Sequence, residues 1–138
     1  MSLGKVLIVD DDQSIRETVR MVLQRAGYNV LCAANGQEAI TLMQQDDHAR
    51  SVNTMLCDLD MPAVNGQALI AHFHAQHPTI PITVMSGTDA FVFTESIVKQ
   101  GVTDWIRKPA TRDALLEKVR VAVRLHQLRL EDTRTPRP

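Results

Sequence analysis

A chain of 138 residues is long enough for one domain built around a single sizeable core. Its 44% hydrophobic and 22% charged residues are ordinary for a globular protein, and 15 basic against 16 acidic residues give no electrostatic reason to expect nucleic acid as a partner. No apolar run approaches the roughly 18–20 residues that span a bilayer and no signal-peptide pattern opens the chain, so a cytoplasmic setting without membrane contact is expected.

The opening MSL fits an expression remnant ahead of an excised domain as well as it fits a natural start. KVLIVD (5–10) is a short run rich in β-branched residues and predicts a first strand. In SIRETVRMVLQRAG (14–27), Ile15, Val19, Val22 and Leu23 recur at helical spacing, with Ser14 and Glu17 as a capping box and Gly27 as the stop. YNVLCAA (28–34) reads as a second strand and NGQEAITLMQQ (35–45) as a second helix, with Asn35 and Glu38 as its cap pair. VNTMLCD (52–58) is a third strand; Cys57 here and Cys32 in the second strand read as buried thiols suited to a reducing compartment. After a loop containing Pro62, NGQALIAHFHAQH (65–77) predicts a third helix. Its His72, His74 and His77 point to different sides at ~100° per residue, which argues against a histidine metal site.

IPITVMS (80–86) predicts a fourth strand, residues 89–100 a fourth helix ended by Gly101, and TDWIRK (103–108) a fifth strand. From Thr111 a long final helix is expected. On it Leu115, Val119, Ala122, Val123 and Leu130 form a stripe that should face the sheet, while Val121, Leu125 and Leu128 form a second stripe on the opposite side. A helix packed on one sheet face needs only one stripe, so the second reads either as scattered surface hydrophobics or as an interface, with a homodimer or with a linker helix, on the face made by helix 4, strand 5 and helix 5. Residues 131–138 read as a polar tail or the start of a linker, leaving residues 4–130 as the domain.

Five β-α repeats with continuous apolar strands predict an α/β fold: a doubly wound parallel sheet of order 2-1-3-4-5 with helices on both faces. In such sheets function gathers at the carboxyl ends of the strands, near the switch point between strands 1 and 3. Asp10, Asp11 and Asp12 fall there after strand 1, Asp58 ends strand 3, Ser86 ends strand 4 and Lys108 ends strand 5. Two like charges ~4 Å apart repel by roughly 1 kcal/mol in water and roughly 4 kcal/mol at an effective dielectric near 20. Such a run is tolerated either fully solvated or around a cation.

Asp10 and Asp11, DLDMP (58–62), MSG (85–87) and KP (108–109) together resemble the receiver domain of two-component response regulators, over about residues 4–130. The resemblance implies a flavodoxin-like fold and a phosphorylation-dependent switch. In it Asp58 accepts a phosphoryl group from the phosphohistidine of a sensor histidine kinase or phosphotransfer protein. It implies Mg2+ held by Asp11 directly, by Asp10 directly or through water, by Asp58 and by the backbone carbonyl of Asp60. Lys108 would lend a point charge to the phosphoryl group and Ser86 a hydroxyl, with Ser86 and Trp105 forming the switch. The Lys108–Pro109 bond is expected to be cis, as is usual in the family. A domain of this kind is regulatory rather than an enzyme in its own right. The chemistry stands independently too: a carboxylate can attack phosphorus when a divalent cation and a fixed ammonium neutralise the phosphoryl oxygens. Asp12 is then the exception, solvated at the entrance to helix 1 where the helix dipole favours negative charge.

Taken singly, Asp58 also reads as a loop cap, Ser86 as the start of a turn and Lys108 as a solvated strand end. Three positions depart from the family pattern: Trp105 stands where Tyr or Phe is common, Ala110 is small, and Asp60 adds a negative charge beside the acceptor. Two alternative functions remain at this point, a receiver-like binding module that is never phosphorylated and an aspartyl-phosphate hydrolase of the haloacid dehalogenase type. The second needs its DxD pair after the first strand, and here that pair follows the third.

Overall fold

The structure is a computed structural model that describes residues 2–45, 51–60, 66–87 and 95–134. In chain order these form β1 (Lys5–Val9), α1 (Gln13–Ala26), β2 (Asn29–Ala33), α2 (Gly36–Gln44), β3 (Thr54–Asp58), α3 (Gly66–Gln76), β4 (Ile82–Ser86), α4 (Glu95–Lys99), β5 (Val102–Arg107) and α5 (Arg112–Arg134). All strand pairs are parallel and the sheet order is β2-β1-β3-β4-β5, as the β-α repeats predict.

Side-chain alternation along each strand divides the core into two layers. Leu7, Val9, Met55, Cys57, Ile82 and Val84 point to the layer covered by α2, α3 and α4. Val6, Ile8, Leu56, Met85 and Ile106 point to the layer covered by α1 and α5, where Val19, Leu23, Leu115 and Val119 meet them. Burial on both faces explains why the strands read as continuous apolar runs rather than alternating ones.

Local chemistry differs from the sequence reading at several points. The N-cap of α1 is Asp12, whose side chain accepts from the Ile15 amide at 3.1 Å, and not Ser14; the helix begins two residues earlier than the capping-box pattern suggested. Asp12 is exposed at the helix entrance, as expected. Gly27 ends α1 in the left-handed region (φ 110°), its amide bonded to the last carbonyls. For α2, Asn35 accepts from the Glu38 amide, and Glu38 reaches back to the Ala34 amide, both at 2.9 Å. Of the two thiols only Cys57 is buried; Cys32 is partly exposed because β2 is the edge strand beside α2.

Strand β5 begins at Val102 and ends just before Lys108. Its pairing to β4 slips between Ile82 and Thr83, where Thr103 is the extra residue and its hydroxyl donates to the Ile82 carbonyl at 3.1 Å. Gly101, expected to stop α4, does so at φ 111°. Only glycine fits there: a Cβ would come within 2.5 Å of the His74 ring. Helix α4 is described for Glu95–Lys99, with Gln100 in the turn that follows; residues 89–94 of the predicted span lie outside the described residues, as do Met61 and Pro62 of DLDMP.

The sheet-facing stripe of α5 is largely as read, with Leu115, Val119, Ala122 and Val123 buried. His126 rather than Leu130 continues it; Leu130 is only partly buried. The helix runs on to Arg134, through residues that composition assigned to a polar tail. Among the described residues no helix is long and apolar enough to cross a membrane.

Candidate functional site at the carboxyl ends of the strands

The register of the sheet brings four chain segments to one edge. Val9 pairs with Cys57, Asp58 with Met85 and Ser86 with Arg107, so the residues ending β1, β3, β4 and β5 are laid side by side. Asp10 and Asp58 are almost completely buried there. The Lys108 side chain, 14% exposed, passes between them: its Nζ lies 3.1 Å from Asp10 Oδ2 and 3.0 Å from Asp58 Oδ1. The Lys108–Pro109 peptide is cis, as the resemblance implies. Lys108 is also anchored by its backbone, whose amide donates to the Ser86 carbonyl at 2.9 Å.

Each carboxylate is held by further donors. Asp10 Oδ1 accepts the Asp12 amide at 3.0 Å, and the Asp10 carbonyl accepts Arg16 Nη1 at 2.8 Å. Asp58 Oδ1 accepts the Asp60 amide at 2.8 Å. Asp60 turns its own carboxylate to the end of β4, Oδ1 accepting from the Ser86 hydroxyl at 3.1 Å and Oδ2 from the Gly87 amide at 2.7 Å. Arg16 and the Asp60 side-chain contacts were not legible in sequence. Arg16 shows only its place in the first turns of α1, and Asp60 acts across a gap that closes only in the fold.

Burial raises the Asp58 carboxyl above the ordinary carboxylate range, against the Asp60 amide and the Lys108 ammonium, and the Asp10 charge adds to the rise. Burial pulls Lys108 the other way, but its bonds to Asp58 and Asp10 hold the ammonium above the usual lysine value. Burial, with Asp58 and Asp10 adding to it, pushes the Cys57 thiol up to about 12, which keeps it neutral beside the site.

Ligand oxygens of Asp10, Asp11 and Asp58 lie within 4.8 Å of one another, with Asp11 exposed and the other two buried. This all-oxygen set suits a hard divalent cation, and Mg2+ keeps several waters and takes few protein ligands. Three carboxylates face one ammonium, so a divalent cation fits the charge as well as the donor type. Trp105 is half-buried against the layer on the α2–α4 side, two residues before the end of β5. An apolar groove of about 400 Å³ opens beside Lys108, between Ile15 and Val19 of α1 and Met85, Pro109 and Ala110.

A doubly wound sheet with acidic residues and a lysine gathered at its switch point is the arrangement of a receiver domain. The family model for the response regulator receiver domain matches residues 6–120, and the chain belongs to this family. Such domains receive phosphoryl groups from histidine kinases, are generally regulatory, and typically bind Mg2+ at an acidic cluster. It is 34% identical over 118 residues to the CAI-1 autoinducer sensor kinase/phosphatase CqsS of Vibrio cholerae serotype O1, covering 83% of this chain and 17% of that protein. It is 28% identical over 128 residues to the C4-dicarboxylate transport transcriptional regulatory protein DctD of Pseudomonas aeruginosa, covering 93% of this chain and 27% of that protein. The chain therefore spans well under a third of the length of either relative. The crystal structure of a CheY-like receiver domain protein from Methanospirillum hungatei JF-1 superposes with a TM-score of 0.81 at 26% identity, covering 92% of this chain and 98% of that one.

Proposed function

We propose that this receiver domain is a phosphorylation-dependent switch in which Asp58 accepts a phosphoryl group from the phosphohistidine of a sensor histidine kinase or phosphotransfer protein. The observation that carries this reading is the Lys108 ammonium held at 3.0 and 3.1 Å between two buried carboxylates, with a third carboxylate exposed beside them. Among the described residues the polar contacts to Asp58, from the Asp60 amide and Lys108, fall on Oδ1, which favours Oδ2 as the nucleophile. Its lone pair forms the new O–P bond while the N–P bond of the phosphohistidine breaks, the electron pair leaving on the imidazole nitrogen.

Asp10, Asp11, Asp58 and the Asp60 backbone carbonyl are the Mg2+ ligands in this reading; bound there, the ion supplies positive charge to the phosphoryl oxygens. Lys108 swings from its two carboxylates to the phosphoryl group, and the Ser86 hydroxyl donates to it. A negatively charged transferring group is thus met by donors gathered beside it at the strand ends, which pass to it from their resting carboxylate partners. The groove beside Lys108 offers the phosphodonor protein an apolar seat next to the reacting atoms. Ser86 and Trp105 form the switch: drawing Ser86 to the phosphoryl group changes the space available to the indole. Trp105 is the single Trp, so its emission should change when beryllofluoride and Mg2+ are added; unchanged emission with binding shown by calorimetry contradicts the coupling.

Incubation with a small phosphodonor and Mg2+, following both protein label and donor consumption, tests the function. A label that accumulates on the protein supports the switch. Continuous donor turnover without label supports a hydrolase, and neither label nor turnover supports a module that acts by binding alone.

A further inference from the structure

Asp60 is an exposed residue at the same edge of the sheet as the Asp10, Asp11 and Asp58 cluster, yet its carboxylate is not left to solvent alone. Both of its oxygens are engaged. Oδ1 takes the Ser86 hydroxyl at 3.1 Å and Oδ2 takes the Gly87 amide at 2.7 Å, while the Asp60 amide itself is spent on Asp58 Oδ1 at 2.8 Å. The two donors come from consecutive residues at the end of β4, and Ser86 is tied to the end of β5 by the Lys108 amide, which donates to its carbonyl at 2.9 Å. A Cβ on Gly87 would lie 3.6 Å from Asp60 Oδ2 and 3.7 Å from Lys108 Cβ, so Gly87 sits between the Asp60 carboxylate and the base of the Lys108 side chain. A carboxylate and a phosphoryl group ask the same thing of such donors: N–H and O–H directed at anionic oxygens.

We infer that the Asp60 carboxylate is an internal stand-in for the phosphoryl group. It occupies the Ser86 hydroxyl and the Gly87 amide in the resting protein and must be expelled before either donor can serve a phosphoryl group on Asp58. The inference rests on Asp58 being the acceptor. A phosphoryl group brings nearly two negative charges and three strong acceptor oxygens, so it cannot share these donors with a carboxylate. Expulsion is feasible because Asp60 lies at the surface, where its carboxylate can be solvated once released. The resting enclosure of Ser86 therefore makes phosphoryl uptake a substitution of one anion by another. Asp60 acts as a positioning residue that holds Ser86 turned into the site and slows uptake.

The test is a double-mutant cycle on the initial rate of labelling by acetyl phosphate with Mg2+, read by intact mass, for wild type, Asp60→Ala, Ser86→Ala and the double variant. Removing the competing anion should raise the wild-type rate by on the order of tenfold, the strength of a charge-assisted hydrogen bond to a buried donor. In the Ser86→Ala background the same substitution should give a clearly smaller gain, because one of the two contested donors is already gone. An Asp60→Ala rate equal to wild type overturns the inference. So does an equal gain in both backgrounds, which would mark a through-space charge effect independent of Ser86. Label absent from all four proteins would overturn the Asp58 assignment and the inference with it, whereas label present but indifferent to Asp60 overturns the inference alone. A direct check needs no phosphate: the Gly87 amide resonance in the metal-free protein should move upfield in Asp60→Ala, and an unmoved resonance contradicts the contact.

Discussion

Asp10, Asp11 and Asp58 carry the same charge into one site, but the fold treats them differently. Asp10 and Asp58 are buried and share the Lys108 ammonium, so removing either leaves a buried cation short of a partner, which is costly. Asp11 is exposed and has no such structural partner among the described hydrogen bonds and ion pairs. Asp11→Asn should therefore weaken Mg2+ binding by at least on the order of tenfold, since loss of even an outer-sphere partner of a metal costs that much. The melting temperature should stay the same or rise, because one repelling charge is gone. Calorimetric Mg2+ titration beside thermal unfolding measures both; unchanged affinity would remove Asp11 from the ligand set. At this scale the aspartates, Ser86 and Lys108 were legible because each sits at the end of an apolar run, and the order of the runs says which ends become neighbours. The Asp60 contacts with Ser86 and Gly87 were not. They depend on how the loop after β3 turns, which no periodicity records.

Among the elements, α5 shows most clearly where pattern reading succeeds and stops. The stripe Leu115, Val119, Ala122, Val123 follows from ~100° per residue, and the structure buries all four. His126 continues that stripe, but a titratable residue was not counted as core in the sequence. Its environment explains how it is accommodated. The Asn53 carbonyl oxygen accepts the Lys5 amide at 2.7 Å, which fixes the side-chain amide so that Nδ2 faces His126 Nδ1 at 3.1 Å. An amide nitrogen only donates, so Nδ1 must accept, and the ring is neutral. Burial lowers the His126 pKa and the Arg129 charge adds to it; burial also lowers that of His77, with His72 adding. In the window from the unfolded value, about 6.5, down to the folded one, the unfolded chain binds a proton that the folded chain does not. Stability is thus fully present above that window and falls as the pH drops through it. Denaturant midpoints measured between about pH 7.5 and 5 should decline less for His126→Gln than for wild type, with His77 leaving a residual slope. Parallel pH profiles would show that His126 is not held neutral.

On the scale of the whole molecule, the second stripe of α5 is the feature without an internal explanation. Val121 and Leu128 are each 45% exposed, and Val98 of α4 is 49% exposed; Leu125 is partly buried and lines a groove with His74, Val98 and Val102. A homodimer through the α4–β5–α5 face would cover them and set Trp105 of β5 on the same face as the contact. Burying a large apolar side chain fully is worth roughly 1.5–3 kcal/mol, before the cost of association. Leu125 is a poor test position because a charge there disturbs the fold as well. The double substitution Val121→Glu and Leu128→Glu is cleaner. Sedimentation velocity should find a dimer fraction that grows with beryllofluoride and Mg2+ in the wild type and disappears in the double variant. A wild type that stays monomeric in both states contradicts the dimer. The topology itself was legible from the alternation of strands and helices, since parallel strands need crossovers and right-handed crossovers leave few orders. The end of α5 was not: polar composition from Glu131 onward says nothing against helix when the preceding turns are already formed.

Every scale converges on Asp58, and intact mass after exposure to acetyl phosphate examines it most directly. The wild type should gain a single phosphoryl group with Mg2+ and almost none when the metal is chelated, and Asp58→Asn should gain none under either condition. Equal label on Asp58→Asn, or label on the wild type that ignores Mg2+, would contradict the account.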